Sequence, residues 1–361
     1  FIINELKELA PDLPLKWDSD NSGRATQKAA YGLLSRVALY AEKWDVAAQA
    51  ARDCATAEGN LDLSENGYAK IFELGINSPE VLFAVEFKSS VIDHAYDAYV
   101  RPSGDTKELG KQVYSGFVPT SELVDSYEMA GDGGNFSWEK HGKDPYANRE
   151  PRFYATILYN GADWMGRKIE SFVGGKDGYK AYENAGAAGT TVTGYYLRKY
   201  LIDGDKTWVT SGSGQDWIVL RYAEVLLNKA EALAMENWNK NSAEALQALN
   251  DVRARVGLPA RATADKETFL EYVRHERKVE LAGEGFRYWD LRRWRLAEKV
   301  IDGQNVHGVK ISKQSDGSFT YEQVDADGGH KRIFYDRYYR FAIPLSERSN
   351  NSLCTNNDGW I

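Results

Sequence analysis

The chain has 361 residues, of which 43% are hydrophobic and 27% are charged. A chain of this length and composition can bury a large core, so it belongs to the folded, globular class and not to the disordered one. Its formal net charge of −8 argues against a general binder of nucleic acids or anionic membranes, because affinity for phosphate comes mainly from Lys and Arg.

The cysteines and the opening segment bear on export and membrane insertion. Cys54 and Cys354 lie far apart in no metal-binding spacing, so we expect two free thiols, with one long-range disulfide as the alternative. The opening FIINELKELA has the pattern of an amphipathic helix and not that of a signal peptide. No apolar run approaches the ~18 residues of a membrane-spanning helix.

The segment DSDNSG, residues 18–23, matches the first half of an EF-hand calcium loop. The twelfth position of such a loop requires a bidentate glutamate, and here it is Ala29. We therefore expect no calcium site, and we expect Asn21 or Ser22 to cap the next helix.

Residues 23–59 predict two helices that form a hairpin, with a break at AEKWD. Leu34 and Val37 belong to the apolar stripe of the first helix, and Ala47 and Ala48 belong to that of the second. Small side chains let two antiparallel helices approach closely, as they do in helical-repeat proteins.

Residues 88–215 differ in composition, since they hold 18 of the 32 glycines and 12 of the 22 tyrosines. Glycine costs ~1 kcal/mol relative to alanine inside a helix, so this segment cannot be continuously helical. It predicts long ordered loops with short strands such as RFYATILY, residues 152–159. Long loops in a compact protein are often functional.

Two further helix pairs are predicted downstream. Residues 217–259 contain a long helix, a polar turn and an Ala/Leu-rich helix that ends at Gly257 and Pro259. The third pair is formed by residues 266–285 and by EGFRYWDLRRWRLAEKV, residues 284–300. The hairpins resemble tetratricopeptide units but are not in tandem, which argues against a plain solenoid.

The segment EGFRYWDLRRWRLAEKV combines aromatic and basic residues, and helical phasing separates them. At ~100° per residue, one apolar arc contains Phe286, Trp289, Trp294, Leu296, Ala297, Val300 and Ile301. Asp290 and Arg293 project into the same arc and are predicted to form a buried pair. We expect partners for this pair on the preceding helix, at Glu276, Glu280, Glu284, Arg274 and Arg277. The segment is thus predicted to be structural and not an anion site.

Motifs for catalysis and metal binding are absent from the sequence. HERKVE begins like a zinc-protease helix, but Val279 stands where the second histidine is required. We predict no catalytic residue, no metal and no cofactor. The sequence alone does not decide whether two carboxylates catalyse glycoside hydrolysis, because such a pair needs proximity in space and not a fixed spacing in the chain.

Five segments occur in the order seen in the SusD/RagB family. They are GRATQKAAYGLLSRVALYAEKWDVAAQAA, NREPRFYATILYNGADW, LRYAEVLLNKAEALA with ALNDVRARVGLP, RHERKVELAGEGFRYWDLRRW, and RFAIPLSERSNNSLCTNNDGW. The chain therefore resembles this family over nearly its whole length. Family members usually begin with a lipidated cysteine and a further N-terminal portion, and neither Cys54 nor Cys354 stands in that place. We expect this chain to correspond to the part downstream, so the anchor is implied by the resemblance only.

The resemblance implies a mainly α fold, with a tetratricopeptide-like helical-hairpin scaffold and a large loop-rich insert containing short strands. We expect one domain over 1–361, with the scaffold in 1–87 and 216–300, the ligand-binding insert in 88–215 and a C-terminal segment in 301–361. The family's members are surface-exposed outer-membrane lipoproteins that are not enzymes. They capture oligosaccharides for a SusC-like TonB-dependent transporter. The implied partners are thus a glycan and that transporter, with no nucleic acid.

Sugar rings bind to exposed flat aromatic side chains that have polar neighbours. The insert offers Trp138 and Tyr146 in NFSWEKHGKDPYANR, Asp163 and Trp164 in YNGADWMGR, and Trp208 in GDKTWVT. Tyr179 completes the predicted ligand-binding set. The alternative for each ring is a place in a small core of the insert, and Arg152 is expected to be structural. Tryptophans at scaffold positions are expected not to contact ligand: Trp17, Trp44, Trp217, Trp289 and Trp294.

Three alternatives to glycan capture stay open at this point. A peptide-binding RagB-like protein would use the same scaffold, a helical glycoside hydrolase would cleave its sugar, and a helical-repeat adaptor would bind only protein. Aromatic platforms favour sugar, whereas an acidic cleft would favour basic peptides.

Overall fold

The computed structural model describes residues 1–178 and 190–360. The α-helices of this part are Ile2–Leu9, Gln27–Tyr40, Trp44–Thr56, Gly67–Leu74, Tyr96–Val100, Asp105–Leu109, Ser121–Val124, Trp138–His141, Pro151–Thr156, Trp208–Ser211, Tyr222–Arg255, Lys266–Glu280, Phe286–Arg293, Ala297–Ile301 and Leu345–Asn350. The strands are Val81–Val85, Ile157–Leu158, Asp163–Trp164, Arg167–Lys168, Tyr196–Leu197, Trp217–Arg221, His307–Lys313 and Phe319–Asp325. The predicted mainly α architecture is confirmed.

The first predicted hairpin is present as helices Gln27–Tyr40 and Trp44–Thr56. Four alanines of the second helix are almost fully buried against the first helix and against Tyr222–Arg255, namely Ala47, Ala48, Ala50 and Ala51. The N-cap of the first helix is Thr26, whose hydroxyl accepts a hydrogen bond from the Ala29 amide at 3.4 Å. The predicted cap at Asn21 or Ser22 is therefore wrong, because Thr26 lies directly before the first helical residue.

The second predicted hairpin lies within Tyr222–Arg255, which is broken at Asn237 by extended backbone dihedrals. Lys229 Nζ lies 2.8 Å from Glu244 Oε1, so the two halves run antiparallel on either side of that break. Their apolar side chains join the first hairpin in the largest core cluster. Two tetratricopeptide-like hairpins thus pack into one scaffold.

The third helical segment differs from its prediction. The helix Phe286–Arg293 stops, Arg295 adopts a left-handed φ of 56°, and a new short helix begins at Ala297. The buried face of Phe286–Arg293 carries Asp290 and Leu291, while Trp289 is 46% exposed. The prediction that Trp289 faces the core is wrong, because the ion pairs of Asp290 decide which face turns inward.

The predicted pair Asp290–Arg293 is confirmed. Arg293 Nε donates to Asp290 Oδ1 at 2.8 Å, and Arg277 Nε donates to the other carboxylate oxygen at 2.8 Å. Arg293 also forms a bidentate bond to Glu231. Of the expected partners, Arg277 bonds to the pair. Arg274 pairs with Glu271 at the surface instead, and Glu276, Glu280 and Glu284 pair with other arginines.

A larger buried ion-pair network joins the scaffold to the insert. Arg152, expected to be structural, is fully buried and bonds to Glu150 at 2.6 Å, Glu276 at 2.5 Å and Glu280 at 2.9 Å. Glu280 also accepts hydrogen bonds from Arg221 and Arg255. Charges taken out of water must be paired, so this network fixes how the insert sits on the helices.

In the part of the chain that the structure describes, the strands form four separate antiparallel pairs. Val81–Val85 pairs with Trp217–Arg221, and the latter strand leads into the second hairpin. His307–Lys313 pairs with Phe319–Asp325. The predicted strand 152–159 is correct only at Ile157–Leu158. Its first part is helical because Pro151 suits the start of a helix.

Two expectations concern thiols and membranes. Cys54 and Cys354 are free thiols, as predicted. Within the described ranges, no helix combines the length and the apolar character needed to cross a bilayer.

Candidate functional site

Two of the predicted ligand-binding tryptophans lie inside the insert. Trp164 and Trp208 are each 1% exposed, and the Arg101 guanidinium lies 5.3 Å and 5.1 Å from their ring centroids. The Trp164 indole N–H donates to Asp105 at 3.0 Å. A ring that binds a sugar must offer it a face, so the prediction of Trp164 and Trp208 as ligand platforms is wrong. Both rings fill the insert's own core, around the buried cation of Arg101.

Tyr146 is buried as well, at 5% exposure, within a group of rings that includes Phe153 and Tyr159. The prediction that Tyr146 contacts ligand is wrong for the same reason. Trp138 lies half-buried at the edge of this group and donates its indole N–H to Asp125 at 2.9 Å. Its assignment stays a prediction.

The two remaining predicted residues differ in status. Asp163 is exposed, and its carboxylate lies 2.7 Å from Nζ of Lys168, its partner on the neighbouring short strand. It is accessible to a ligand, so its role stays a prediction. Tyr179 lies outside the described residues.

An exposed aromatic surface occurs elsewhere in the insert, and we call Tyr99, Tyr114 and Phe117 the tyrosine platform. Tyr99 and Tyr114 are both 47% exposed and stack with ring centroids 5.2 Å apart and an interplanar angle of 28°. Phe117 follows closely in the chain and is 64% exposed. Stacked rings hold each other in place, so their exposed faces form a preorganised flat surface.

The backbone explains why these rings meet. The Tyr114 amide donates to the Ala98 carbonyl and the Gly116 amide donates to the Tyr99 carbonyl, both at 2.7 Å. This lays residues 114–116 beside the helix Tyr96–Val100, so Tyr114 reaches Tyr99. Ser115 adopts a left-handed φ of 47°, so the segment turns at that residue.

Burial alternates over residues 113–116 of the segment VYSGF. Val113 and Ser115 are buried, whereas Tyr114 and Gly116 are exposed. Phe117 is exposed as well and ends this alternation. The Ser115 hydroxyl donates to the Arg101 carbonyl at 2.9 Å, which anchors the segment. Hydropathy did not predict this platform, because the polar Ser115 is buried while Tyr114 and Phe117 are exposed.

Arg101 gives the platform a rigid base. Its guanidinium donates to Asp97 at 2.8 Å and to the carbonyls of Ile202 and Asp205 at 3.3 Å and 3.1 Å. Asp97 and Tyr99 belong to the same short helix, so the buried ion pair fixes the helix that carries the platform. Beside that helix opens a cavity of about 470 Å³ with polar walls that include Lys88, Ser89, Asp205 and Thr207.

Two scaffold tryptophans, Trp217 and Trp289, are also exposed. Trp217 is 36% exposed, stacks on Tyr200 with centroids 4.9 Å apart, and lines the same cleft of about 490 Å³ as Trp289. Arg36 lies in that cleft, held by a bidentate bond to Glu224. That Trp217 and Trp289 contact no ligand stays a prediction. Because both rings are exposed, burial does not support it.

The buried carboxylates of Glu280 and Glu150 are poorly suited to act as general acids. Burial by itself raises the pKa of Glu280, but the charges of Arg255, Arg221 and Arg152 outweigh it and hold that pKa well below its ordinary value. Burial raises the pKa of Glu150, yet its carboxylate is fully enclosed beside Arg152. An acid that donates a proton to a sugar needs both a raised pKa and access to the sugar.

Comparisons with known proteins agree with the architecture. The family model described as the SusD family matches residues 79–360. A SusD-like protein of Bacteroides ovatus is 25% identical over 352 residues, which is 91% of this chain and 57% of that protein. SusD-like protein P38 of Formosa agariphila is 32% identical over 133 residues, which is 34% of this chain and 25% of that protein. The chain thus spans little more than half the length of one curated relative and matches a quarter of the other.

Solved structures show the same fold. A SusD-like protein of Bacteroides fragilis superposes with a TM-score of 0.84 at 27% identity, covering 99% of this chain and 70% of that one. A SusD-like carbohydrate binding protein of the same species gives a TM-score of 0.79 at 26% identity, covering 97% of this chain and 69% of that one.

Proposed function

This chain belongs to the SusD family, and we propose that it is a non-catalytic cell-surface protein that binds oligosaccharides for import. It delivers them to a SusC-like TonB-dependent transporter of the outer membrane. A lipid anchor holds the protein to that membrane. One relative with the same fold is a carbohydrate binding protein. The observation that carries the proposal is the tyrosine platform.

The chemistry of the platform suits a sugar. A pyranose ring has an apolar C–H face and a rim of hydroxyls, so it stacks on a flat aromatic ring and hydrogen-bonds at its edges. Tyr99 and Tyr114 each combine such a ring with a phenolic hydroxyl. Both lose little rotamer freedom on binding because they already stack on each other.

The insert is the ligand-binding side of the molecule in this proposal, and the helical hairpins face the transporter. Trp138 and Asp163 are proposed as further ligand contacts, because Trp138 is half-buried and Asp163 is exposed. Because their side chains are buried, Trp164, Trp208 and Tyr146 are not proposed as ligand contacts.

The absence of catalysis is part of the proposal. Glycosidases use two accessible acids on either side of the scissile bond, one of them with a raised pKa. Burial raises the pKa of Asp125, but its carboxylate accepts the indole N–H of Trp138 in a half-buried position. This environment supports a structural carboxylate better than a general acid.

A titration screen tests the function. Neutral oligosaccharides of several linkages are titrated calorimetrically, and newly formed reducing ends are measured in the same samples. We expect binding without cleavage. Measurable cleavage would support a glycoside hydrolase, and binding to peptides alone would support a RagB-like protein. Co-purification of a SusC-like transporter from native membranes tests the delivery step.

A further inference from the structure

A cavity of about 460 Å³ opens between the helix Ser121–Val124, the end of Lys266–Glu280 and the start of Phe286–Arg293. Its walls are mainly apolar and include Leu123, Leu281, Phe286 and Tyr288. Binding sites for small molecules usually have volumes of about 300–1,000 Å³ and a few placed polar groups. Its charged lining residues are four cations, Arg277, Lys278, Arg287 and Arg332, and one acid, Glu122.

Arg287 is the first of these cations. Its side chain is half-buried, and among the described residues it forms no hydrogen bond and no ion pair. The carboxylate of Asp290 is used by Arg277 and Arg293 instead. Burial lowers the pKa of Arg287, and Asp290 only partly opposes this. Its guanidinium therefore has donors to spare.

Lys278 is the second cation and lines the same cavity. Its ammonium donates to the Glu122 carbonyl and the Ser126 hydroxyl, both of them neutral. The Glu122 carboxylate lies 2.5 Å from His307 Nδ1 and forms no ion pair with Lys278 among the described residues. Burial, together with the nearby charge of Arg287, lowers the pKa of Lys278 to about 8. Lys278 and Arg287 thus line one cavity, and within the described part of the chain neither forms an ion pair with a carboxylate.

Such an arrangement is costly unless a ligand completes it. Partly desolvated cations require compensation by an anion or by several hydrogen bonds. The other arginines of the scaffold's buried network, Arg152, Arg221, Arg253 and Arg255, are each paired with at least one glutamate. Arg287 and Lys278 depart from that pattern at a point where a cavity gives access to both.

We propose that this cavity binds the oxyanion of an acidic saccharide, the carboxylate of a uronic acid or the ester of a sulfated sugar, between Lys278 and Arg287. The planar guanidinium suits an oxyanion through two parallel hydrogen bonds, and the ammonium supplies a compact second charge. The apolar walls at Phe286 and Leu123 accept the C–H face of the sugar. This inference rests on the proposed function, because it names the chemical class of one bound sugar.

Matched probes test the charge requirement. Trigalacturonic acid is titrated beside its methyl ester, which keeps the rings and removes the charge, and sulfated galactose oligosaccharides are titrated beside desulfated ones. We expect at least a tenfold lower Kd for one charged probe than for its neutral partner. The pair that shows the difference identifies carboxylate or sulfate. Equal affinities within both pairs would overturn the inference.

Two variants locate the site. Arg287→Met and Lys278→Met are expected to remove the preference for the charged probe, while the exposed Arg340→Met, as matched control, keeps it. Arg287→Met is also expected to leave Tm unchanged or raised without ligand, because an unpaired charge is removed. A clear drop in its Tm would mark Arg287 as structural and contradict the proposal.

The same titrations separate this inference from the proposed function. If neutral oligosaccharides bind through the tyrosine platform but charge brings no gain, only the acidic-sugar site is wrong. If no saccharide binds at all, both are wrong.

Discussion

The ring of Tyr99 stacks on that of Tyr114, with 5.2 Å between centroids, and both rings stay about half exposed. Two backbone hydrogen bonds and the buried Arg101 hold this pair in place. A stacked pair that is exposed and yet rigidly mounted is the feature on which the binding predictions rest.

Removing the pair should weaken glycan binding without unfolding the protein. Each lost ring contributes on the order of 1 kcal/mol, so Tyr99→Ala/Tyr114→Ala lowers affinity for a bound oligosaccharide roughly 10- to 30-fold. Calorimetric titration measures this. Tyr335→Ala, at a similarly exposed tyrosine, serves as control and keeps wild-type affinity. Unchanged affinity in the double variant would show that the tyrosine platform does not bind the oligosaccharide.

Trp164 and Trp208 should contribute to the stability of the fold, and they should affect ligand binding only indirectly. Either substitution by Ala empties a large volume beside Arg101, so we expect a loss of about 3–5 kcal/mol in the free energy of unfolding. Trp289→Ala, at an exposed ring, is expected to cost less than about 1 kcal/mol. Urea denaturation followed by circular dichroism compares the three. A stable Trp208→Ala variant would contradict the burial of that ring.

Arg293 tests the structural interpretation of the segment 284–300. Arg293→Ala leaves the carboxylates of Asp290 and Glu231 without their shared partner, and breaking such a buried pair costs about 3–5 kcal/mol. Thermal denaturation should show a clearly lower Tm. A variant with wild-type Tm that no longer binds any saccharide would instead place Arg293 in a ligand site.

Acid should unfold the protein through its buried carboxylates. Burial raises the pKa values of Glu280, Glu284 and Asp290, but neighbouring Arg and Lys charges outweigh it and lower all three. A lowered folded-state pKa adds stability that is fully present above the unfolded value, ~4, and is lost as pH falls through the folded value. Tm should therefore drop steeply below pH ~4.

The Glu284→Gln variant checks this assignment. It removes one of the three titrations, so its Tm should be lower at pH 6 and should change less between pH 4 and pH 3 than that of the wild type. An identical pH slope in both proteins would show that Glu284 does not titrate in this range.

The acidic-sugar site should depend on pH through Lys278. Its pKa of about 8 reflects burial first and the charge of Arg287 second, with Glu122 and Asp125 opposing. Arg287 keeps its proton in this range, so the loss of charge as pH rises through 8 belongs to Lys278. Affinity for the charged probe should fall between pH 7 and pH 9 while affinity for the neutral probe stays constant. Lys278→Met should show no such fall.

The sequence by itself determined the helical scaffold and one of its buried ion pairs. Alanine-rich stripes predicted hairpins, because only small side chains allow close helix packing, and these hairpins are present. Asp290 and Arg293 were predicted to be buried together, because two charges inside an apolar arc must neutralise each other. The family resemblance followed from the same segments, and the family model matches residues 79–360.

Only the tertiary structure decided which aromatic rings face solvent. Trp164 and Trp208 were predicted at the surface and are buried around Arg101, whereas Trp289 was predicted inside and is exposed. Periodicity shows which residues share a face of an element, but it does not show what covers that face. In the loops no periodicity exists beyond a few residues, so the exposure of Tyr99 and Tyr114 depends on contacts from distant segments. The ligand-binding surface is therefore a property of the folded insert, whereas the scaffold that carries it can be read from local pattern.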